Sequence, residues 1–136
     1  MKSAITTIGR TEHVSFPHFD NIQLEAKIDT GAYTTSLYCT NIRVENNVLL
    51  FNIAQNSVRT FTATTYTTRT VKSSNGATEQ RYAIITSIRI GTRRIKTLIT
   101  LANRGEMRTP VLIGRKLLRN KFVVDVSKKF VLENQT

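Results

Sequence analysis

Residues 28 to 32 read Ile28-Asp29-Thr30-Gly31-Ala32, and Val111-Leu112-Ile113-Gly114-Arg115-Lys116-Leu117-Leu118 follows Pro110 near the other end of the chain. The first string places a carboxylate on a loop of small residues at the end of a hydrophobic strand. Gly31 permits a tight turn and Ala32 leaves space above the carboxylate. Thr30 adds a hydroxyl that can tie the loop to a neighbour or to a symmetry-related loop. Asp-Thr-Gly alone is equally an ordinary turn that ends a strand. In this order, and in a chain of this size, the two strings point to half of a site in which two equivalent loops approach until their carboxylates share a proton. Only one such loop is present, so a site of that kind would require a pair of chains.

The rest of the chain reads as β-structure. Thr, Val, Ile and Phe recur in short alternating runs punctuated by Asn and Gly. The pattern predicts strands at about residues 3–8, 13–16, 23–28, 37–44 and 48–53, then a longer pair at 58–71 and 78–90. That pair is joined through Ser73-Ser74-Asn75-Gly76, where Asn-Gly is a strong hairpin signal. Gly91-Thr92 marks a further tight turn into a strand at 93–101, followed by strands at 111–113, 122–126 and 130–132. One short helix is expected from about Gly114 to Leu118, with Asn120 at its end in a position that tolerates left-handed geometry. There is no repeat, low-complexity tract or linker, so one all-β domain over residues 1–136 with a single short C-terminal helix is the economical account.

Charge narrows the partners. The chain carries 20 Lys and Arg against 9 Asp and Glu, a net +11, with the basic residues concentrated from Arg89 to Lys129. Such an excess favours anionic partners or serves as a solvated face that keeps the protein soluble. The single Cys39 cannot form an intramolecular disulfide, no stretch is long enough to span a bilayer, and Met1 to Arg10 lack a signal-like apolar run. A cytoplasmic location without a membrane partner is the expectation.

Asp29-Thr30-Gly31-Ala32, a β-hairpin and Leu112-Ile113-Gly114-Arg115-Lys116-Leu117-Leu118, in that order, resemble the retropepsins, the single-domain dimeric aspartic proteases. More closely, the chain resembles a bacterial retropepsin-like family that carries the label ATP-dependent zinc protease. Members of that family are associated with an ATP-grasp ligase that adds glutamate to a ribosomal protein. Ala26-Lys27-Ile28-Asp29-Thr30-Gly31-Ala32 matches its signature, as does the run from Arg104 to Val126 with Met107, Pro110, Leu112-Ile113-Gly114-Arg115 and Val124-Asp125. The resemblance covers roughly residues 14–132. It implies a closed retropepsin-like, acid-protease β-barrel and a homodimeric aspartic endopeptidase with Asp29 as the catalytic residue. Thr30, Gly31 and Ala32 would form the active-site loop, with Gly114 passing close behind it. Arg115 would support it through a salt bridge or dimer contact. Ser74, Asn75 and Gly76 would be the tip of a mobile flap. Tyr33 departs from the pattern: retropepsins usually carry Asp, Asn or Ser there, and the bacterial family often has Arg.

The implied chemistry is acid–base hydrolysis of a peptide bond by water held between two carboxylates, with no covalent intermediate. The family association and the basic charge together suggest acidic or glutamate-extended peptides as substrate. The zinc and ATP of the label find no residues here. The sequence has neither His-Glu-x-x-His nor Cys-x-x-Cys, His13, His18 and Cys39 are dispersed, and there is no Gly-rich phosphate loop. No cofactor and no metal are therefore expected. Asp125 reads as a strand-end acceptor or the partner of a nearby Arg. The rival from another class is a non-catalytic basic β-barrel that binds an anionic peptide or RNA through Tyr33, Tyr38, Tyr66 or Tyr82. A third reading is a degenerate retropepsin fold that binds a protein partner.

Overall fold

A pleated strand sends successive side chains to opposite faces, so the alternating apolar residues of this chain give each strand one face for a core. The computed structural model describes residues 4–53, 56–72, 75–103 and 109–134. In chain order its strands are β1 (Thr6–Gly9), β2 (Thr11–Phe16), β3 (Ile22–Ile28), β4 (Thr35–Glu45), β5 (Val48–Ile53) and β6 (Asn56–Ala63). They continue with β7 (Thr67–Lys72), β8 (Thr78–Ile90), β9 (Arg93–Ala102), β10 (Val111–Ile113) and β11 (Phe122–Asp125). A single turn of helix, α1 (Arg115–Leu118), lies between β10 and β11, and a 3₁₀ helix spans Val131–Asn134.

Six strands close on themselves. Starting from β10, the neighbours run β3, β2, β8, β9 and β4, and β4 pairs back to β10. The short β10 is parallel to β3 and antiparallel to β4, so it is the stave that closes the barrel. Leu24, Ala26 and Ile28 of β3, Leu37 of β4, Ile84 and Ile88 of β8, Ile99 and Leu101 of β9, and Val111 and Ile113 of β10 all fill its interior. Beyond the barrel, β4 continues into a β5–β6 extension through Asn46-Asn47, both at positive φ, as a type I′ hairpin requires. A cluster of Phe16, Phe19, Phe51 and Phe61 pins this extension to the barrel. Burying each such ring contributes about 1.5–3 kcal/mol.

Three expectations need correction. The stretch 58–71 is two strands, because β6 pairs with β5 whereas β7 pairs with β8. The chain must change neighbours between them, and Tyr66 anchors that corner edge-on against Tyr82 at 5.9 Å. The stretch 3–8 ends later than expected, with β1 running to Gly9 beside β11. Gly9 is where the C-terminal segment crosses: a Cβ there would lie 2.5 Å from the Lys128 carbonyl oxygen.

The third correction is the expected strand at 130–132: Phe130 sits outside any strand at φ +52°, and Val131 and Leu132 begin the 3₁₀ helix. A carboxylate decides this. Glu12 is fully buried, and its Oε2 accepts from the Val131 N–H at 3.0 Å and its Oε1 from the Leu132 N–H at 3.2 Å. Those amides are thus aimed at a side chain rather than at a strand. His13 stacks on Phe130 at 4.6 Å and pairs with Glu133, which holds the same segment down.

Candidate active site

Asp29 is the first residue past β3, and the neighbouring elements define its position. The Asp29 N–H donates to the Ile113 carbonyl at 2.9 Å, extending the β3–β10 pairing by one bond. The Ala32 N–H donates back to the Asp29 carbonyl at 3.1 Å and closes the turn. The Gly31 N–H donates to Asp29 Oδ1 at 3.0 Å. One carboxylate oxygen is thereby oriented while the side chain stays half-buried and reachable from solvent.

The second motif locks this loop from behind. Gly114 is buried, and a Cβ there would meet the Tyr33 carbonyl oxygen at 2.6 Å and its carbon at 2.7 Å. Backbone cannot yield as a flexible side chain would, so a larger residue would force the loop and β10 apart. The Gly114 N–H donates to Thr35 Oγ1 at 3.2 Å. The first amides of α1 then find acceptors in the loop, with Arg115 N–H to the Ala32 carbonyl at 2.8 Å and Lys116 N–H to the Tyr33 carbonyl at 3.0 Å. These donors would otherwise lack intrahelical partners, and Leu117 and Leu118 anchor the turn in the core.

Arg115 supports the loop differently from the expected salt bridge. Its Nη1 donates to the Thr30 carbonyl at 3.0 Å, and its guanidinium lies 5.8 Å from the centre of the Tyr33 ring. Tyr33 itself is 48% exposed. The structure therefore brings Asp29, Thr30, Gly31, Ala32, Gly114 and Arg115 into one hydrogen-bonded unit. Thr35 belongs to that unit and was not singled out from the sequence; a hydroxyl at the start of a strand carries no signal of its own.

Of the flap residues, Ser74 lies outside the described residues. Asn75 and Gly76 form a turn at the end of the β7–β8 hairpin, with Gly76 at φ +88° and the Ala77 N–H donating to Asn75 Oδ1 at 3.1 Å. Arg104 and Met107 also lie outside the described residues. Asp125 accepts from the Ser127 hydroxyl at 2.6 Å and its N–H at 3.0 Å, with Lys128 Nζ at 3.9 Å, so its cation is a lysine rather than an arginine. The Ser127 hydroxyl, then its amide, hold the Asp125 carboxyl below the usual carboxylate range.

Among the described residues, no three His, Cys, Asp or Glu side chains converge to hold a metal. Cys39 lies in the barrel core, where burial pushes its thiol far above the ordinary range. The Asp29 loop presents an oriented carboxylate that solvent can reach and that can accept hydrogen bonds from water. Among the described residues, no helix is long and apolar enough to cross a membrane.

Known proteins share this architecture. A crystal structure of a Legionella pneumophila protein of unknown function superposes with a TM-score of 0.78 at 25% identity, covering 95% of this chain and 99% of that one. Among curated proteins, a probable alpha-L-glutamate ligase of Shewanella halifaxensis is 31% identical over 137 residues, and one of Shewanella pealeana is 31% identical over 134. The alignments cover 94% and 92% of this chain but only 30% and 29% of those ligases. The pattern of the RimB-like family, described as retropepsin-like aspartic endopeptidase RimB, matches residues 7–135. With the closed barrel, the Asp-Thr-Gly loop and the Gly-Arg support all inside that span, the chain belongs to the RimB-like family of retropepsin-like aspartic endopeptidases.

Proposed function

We propose that the protein is an aspartic endopeptidase that works as a homodimer, with the Asp29 loops of two chains facing each other across one cleft. The observation that carries this reading is the Asp29 loop itself, a half-exposed carboxylate oriented by one N–H and locked from behind by Gly114 and α1. Two such carboxylates brought together cannot both ionise comfortably, so the pair holds one proton. The ionised member takes a proton from the bound water, whose oxygen attacks the scissile carbonyl. The protonated member donates its proton to the carbonyl oxygen, giving a neutral gem-diol. Proton transfer to the amide nitrogen and cleavage of the C–N bond then release the two products. The β7–β8 hairpin covers the cleft and excludes water.

Acidic, glutamate-containing peptides are the proposed substrate class. The net charge of +11 attracts them at long range, and similar proteins are named as probable alpha-L-glutamate ligases. The test is turnover of a glutamate-rich peptide by the wild-type chain and by Asp29→Asn, with product ends identified by mass spectrometry. Cleavage that disappears in the folded variant supports the mechanism, and wild-type turnover in that variant excludes it. Specific activity should also fall on dilution through the dimer dissociation constant. A monomer that remains fully active would exclude the shared site.

A further inference from the structure

We propose that Arg81 determines specificity, its guanidinium forming, with Arg69 beside it, the seat for an acidic side chain of the bound peptide. Glu79 occupies that seat in the free protein. This rests on the peptidase reading above and names the group that would recognise the acid.

A row of paired residues links the seat to the strand that leads into the Asp29 loop. Lys27, Leu112, Ser36, Thr100, Ala83 and Thr67 are directly paired across β3, β10, β4, β9, β8 and β7. They form one row on the face opposite the barrel interior, since their strand neighbours Ala26, Ile28, Val111, Ile113, Leu37, Ile99 and Ile84 fill the core. Asp29 follows β3 two residues beyond Lys27, and Arg81 lies on β8 two residues before Ala83; β3 and β8 run the same way along this row, so the two backbones leave it in opposite directions. The Arg81 side chain reaches back to this row, with Nη1 3.5 Å from Ser36 Oγ, which shares a 2.9 Å hydrogen bond with Thr100 Oγ1. Ser36 is two strands from β3, about 10 Å. An extended peptide covers that distance in about three residues.

The chemistry of the cluster fits a carboxylate visitor. Arg81 is only 9% exposed, and a buried guanidinium needs a carboxylate opposite it. Its partner is Glu79, two residues away on the same strand, at 2.5 Å from Nε and half exposed to solvent. Among the described residues, Nε and Nη1 are the donors with partners, and no fully buried side-chain nitrogen lacks one. Nη2 is therefore not fully enclosed, and it is the guanidinium nitrogen left for a further acceptor. Directly across the hairpin stands Arg69, an exposed second cation projecting from the same side. Like charges in that relation repel unless an anion lies between or beside them. The next pair along the hairpin, Thr70 and Gln80, projects to the other side and is neutral, hydrogen-bonded at 2.8 Å. The cationic pair is thus confined to the side that continues toward Ser36.

The test uses fluorescein-labelled octapeptides that differ only by Glu or Gln at one scanned position. Binding is read by anisotropy with the full chain carrying Asp29→Asn, so that no turnover interferes. At about 0.5 M salt the screening length is about 4 Å and the overall charge contributes little. Glu at one position should bind about ten-fold tighter than Gln. Adding Arg81→Gln should bring that ratio close to one, and adding Arg69→Gln should lower it in part. Adding Glu79→Gln instead removes the resident carboxylate without touching the arginine, and should tighten the Glu peptide several-fold. A preference retained by folded Arg81→Gln protein overturns the assignment. Where Arg81→Gln does not fold, Glu79→Gln decides: unchanged or weaker binding overturns it. Turnover by the wild-type chain, measured alongside, separates the two readings. Cleavage without a Glu preference removes the Arg81 seat and keeps the peptidase; an Arg81-dependent preference without cleavage does the reverse. Neither cleavage nor preference removes both.

Discussion

Glu12 lies on β2 and Asp29 just past the end of the adjacent β3, and the backbone treats the two carboxylates in opposite ways. Glu12 is fully buried and accepts three N–H groups, from Gly9 at 2.7 Å and from Val131 and Leu132. Asp29 is half-buried and accepts one, from Gly31. A carboxylate has about four acceptor positions. Glu12 has most of them committed to joining the β1–β2 corner to the C-terminal 3₁₀ helix, so it is a structural tie. Asp29 is oriented, and among the described residues its remaining acceptor positions have no partner, as the proposed role requires. The number of backbone donors reaching a carboxylate, more than its residue type or its strand, separates the structural acid from the one proposed for chemistry.

The largest effect that could break this contrast is in turnover. Asp29→Asn should lower kcat/KM by roughly 10³-fold or more, the scale of losing a positioned acid or base. Its thermal midpoint should stay close to wild type, because only one hydrogen bond changes. A comparable loss of stability would make Asp29 a structural residue like Glu12. The converse substitution is Glu12→Ala, which leaves three amides without their acceptor and opens a cavity. It should cost about 3–4 kcal/mol in urea unfolding. Protection of the Val131 and Leu132 amides from hydrogen exchange should vanish with it. A cost below 1 kcal/mol would show that water replaces the carboxylate and that the tie is weak.

Smaller changes sharpen the comparison. Thr35→Val keeps the shape but removes the acceptor of the Gly114 N–H, and should cost about 1–2 kcal/mol. Turnover should fall further than that stability loss explains, because the loop in front of Gly114 loses its support. Equal turnover by the variant would mean that α1 alone holds the loop. The smallest effect belongs to Asp125, whose carboxyl the Ser127 hydroxyl holds below its ordinary range. Its folded value lies below its unfolded value, so the stabilisation is complete above about pH 4. It disappears as pH falls through the folded value. Asp125→Asn should flatten the acid limb of a stability–pH curve slightly, and an unchanged limb would show that the exposed Ser127 contact is not maintained in solution.

Much of the site was legible from local chemistry. Gly31 announced a tight turn, and the family resemblance implied a close approach at Gly114, where the backbone does pass within 2.6 Å of where a Cβ would stand. Asn46-Asn47, Gly76, Gly91 and Asn120 each adopt the positive φ that their residue types favour. Glu12 could have been read as buried, since it shares the inward parity of Val14 and Phe16 on β2. Arg81 could not, because it falls on the outward parity of β8 and is buried only by what the hairpin folds against.

By itself the sequence determined the strand faces, the turns, the single helical turn and the Asp-Thr-Gly and Gly-Arg strings, because alternation and backbone preference act within a few residues. Tertiary structure decided where the Thr-rich stretch breaks into β6 and β7, that residues 131–134 become a 3₁₀ helix instead of a strand, and that Arg81 ends up buried. Those outcomes depend on which distant segment supplies the partner: β5 or β8 for a strand, Glu12 for an amide, Glu79 and Ser36 for a guanidinium. Pairing between distant segments is set by closure of the barrel, and no window of neighbouring residues contains that information.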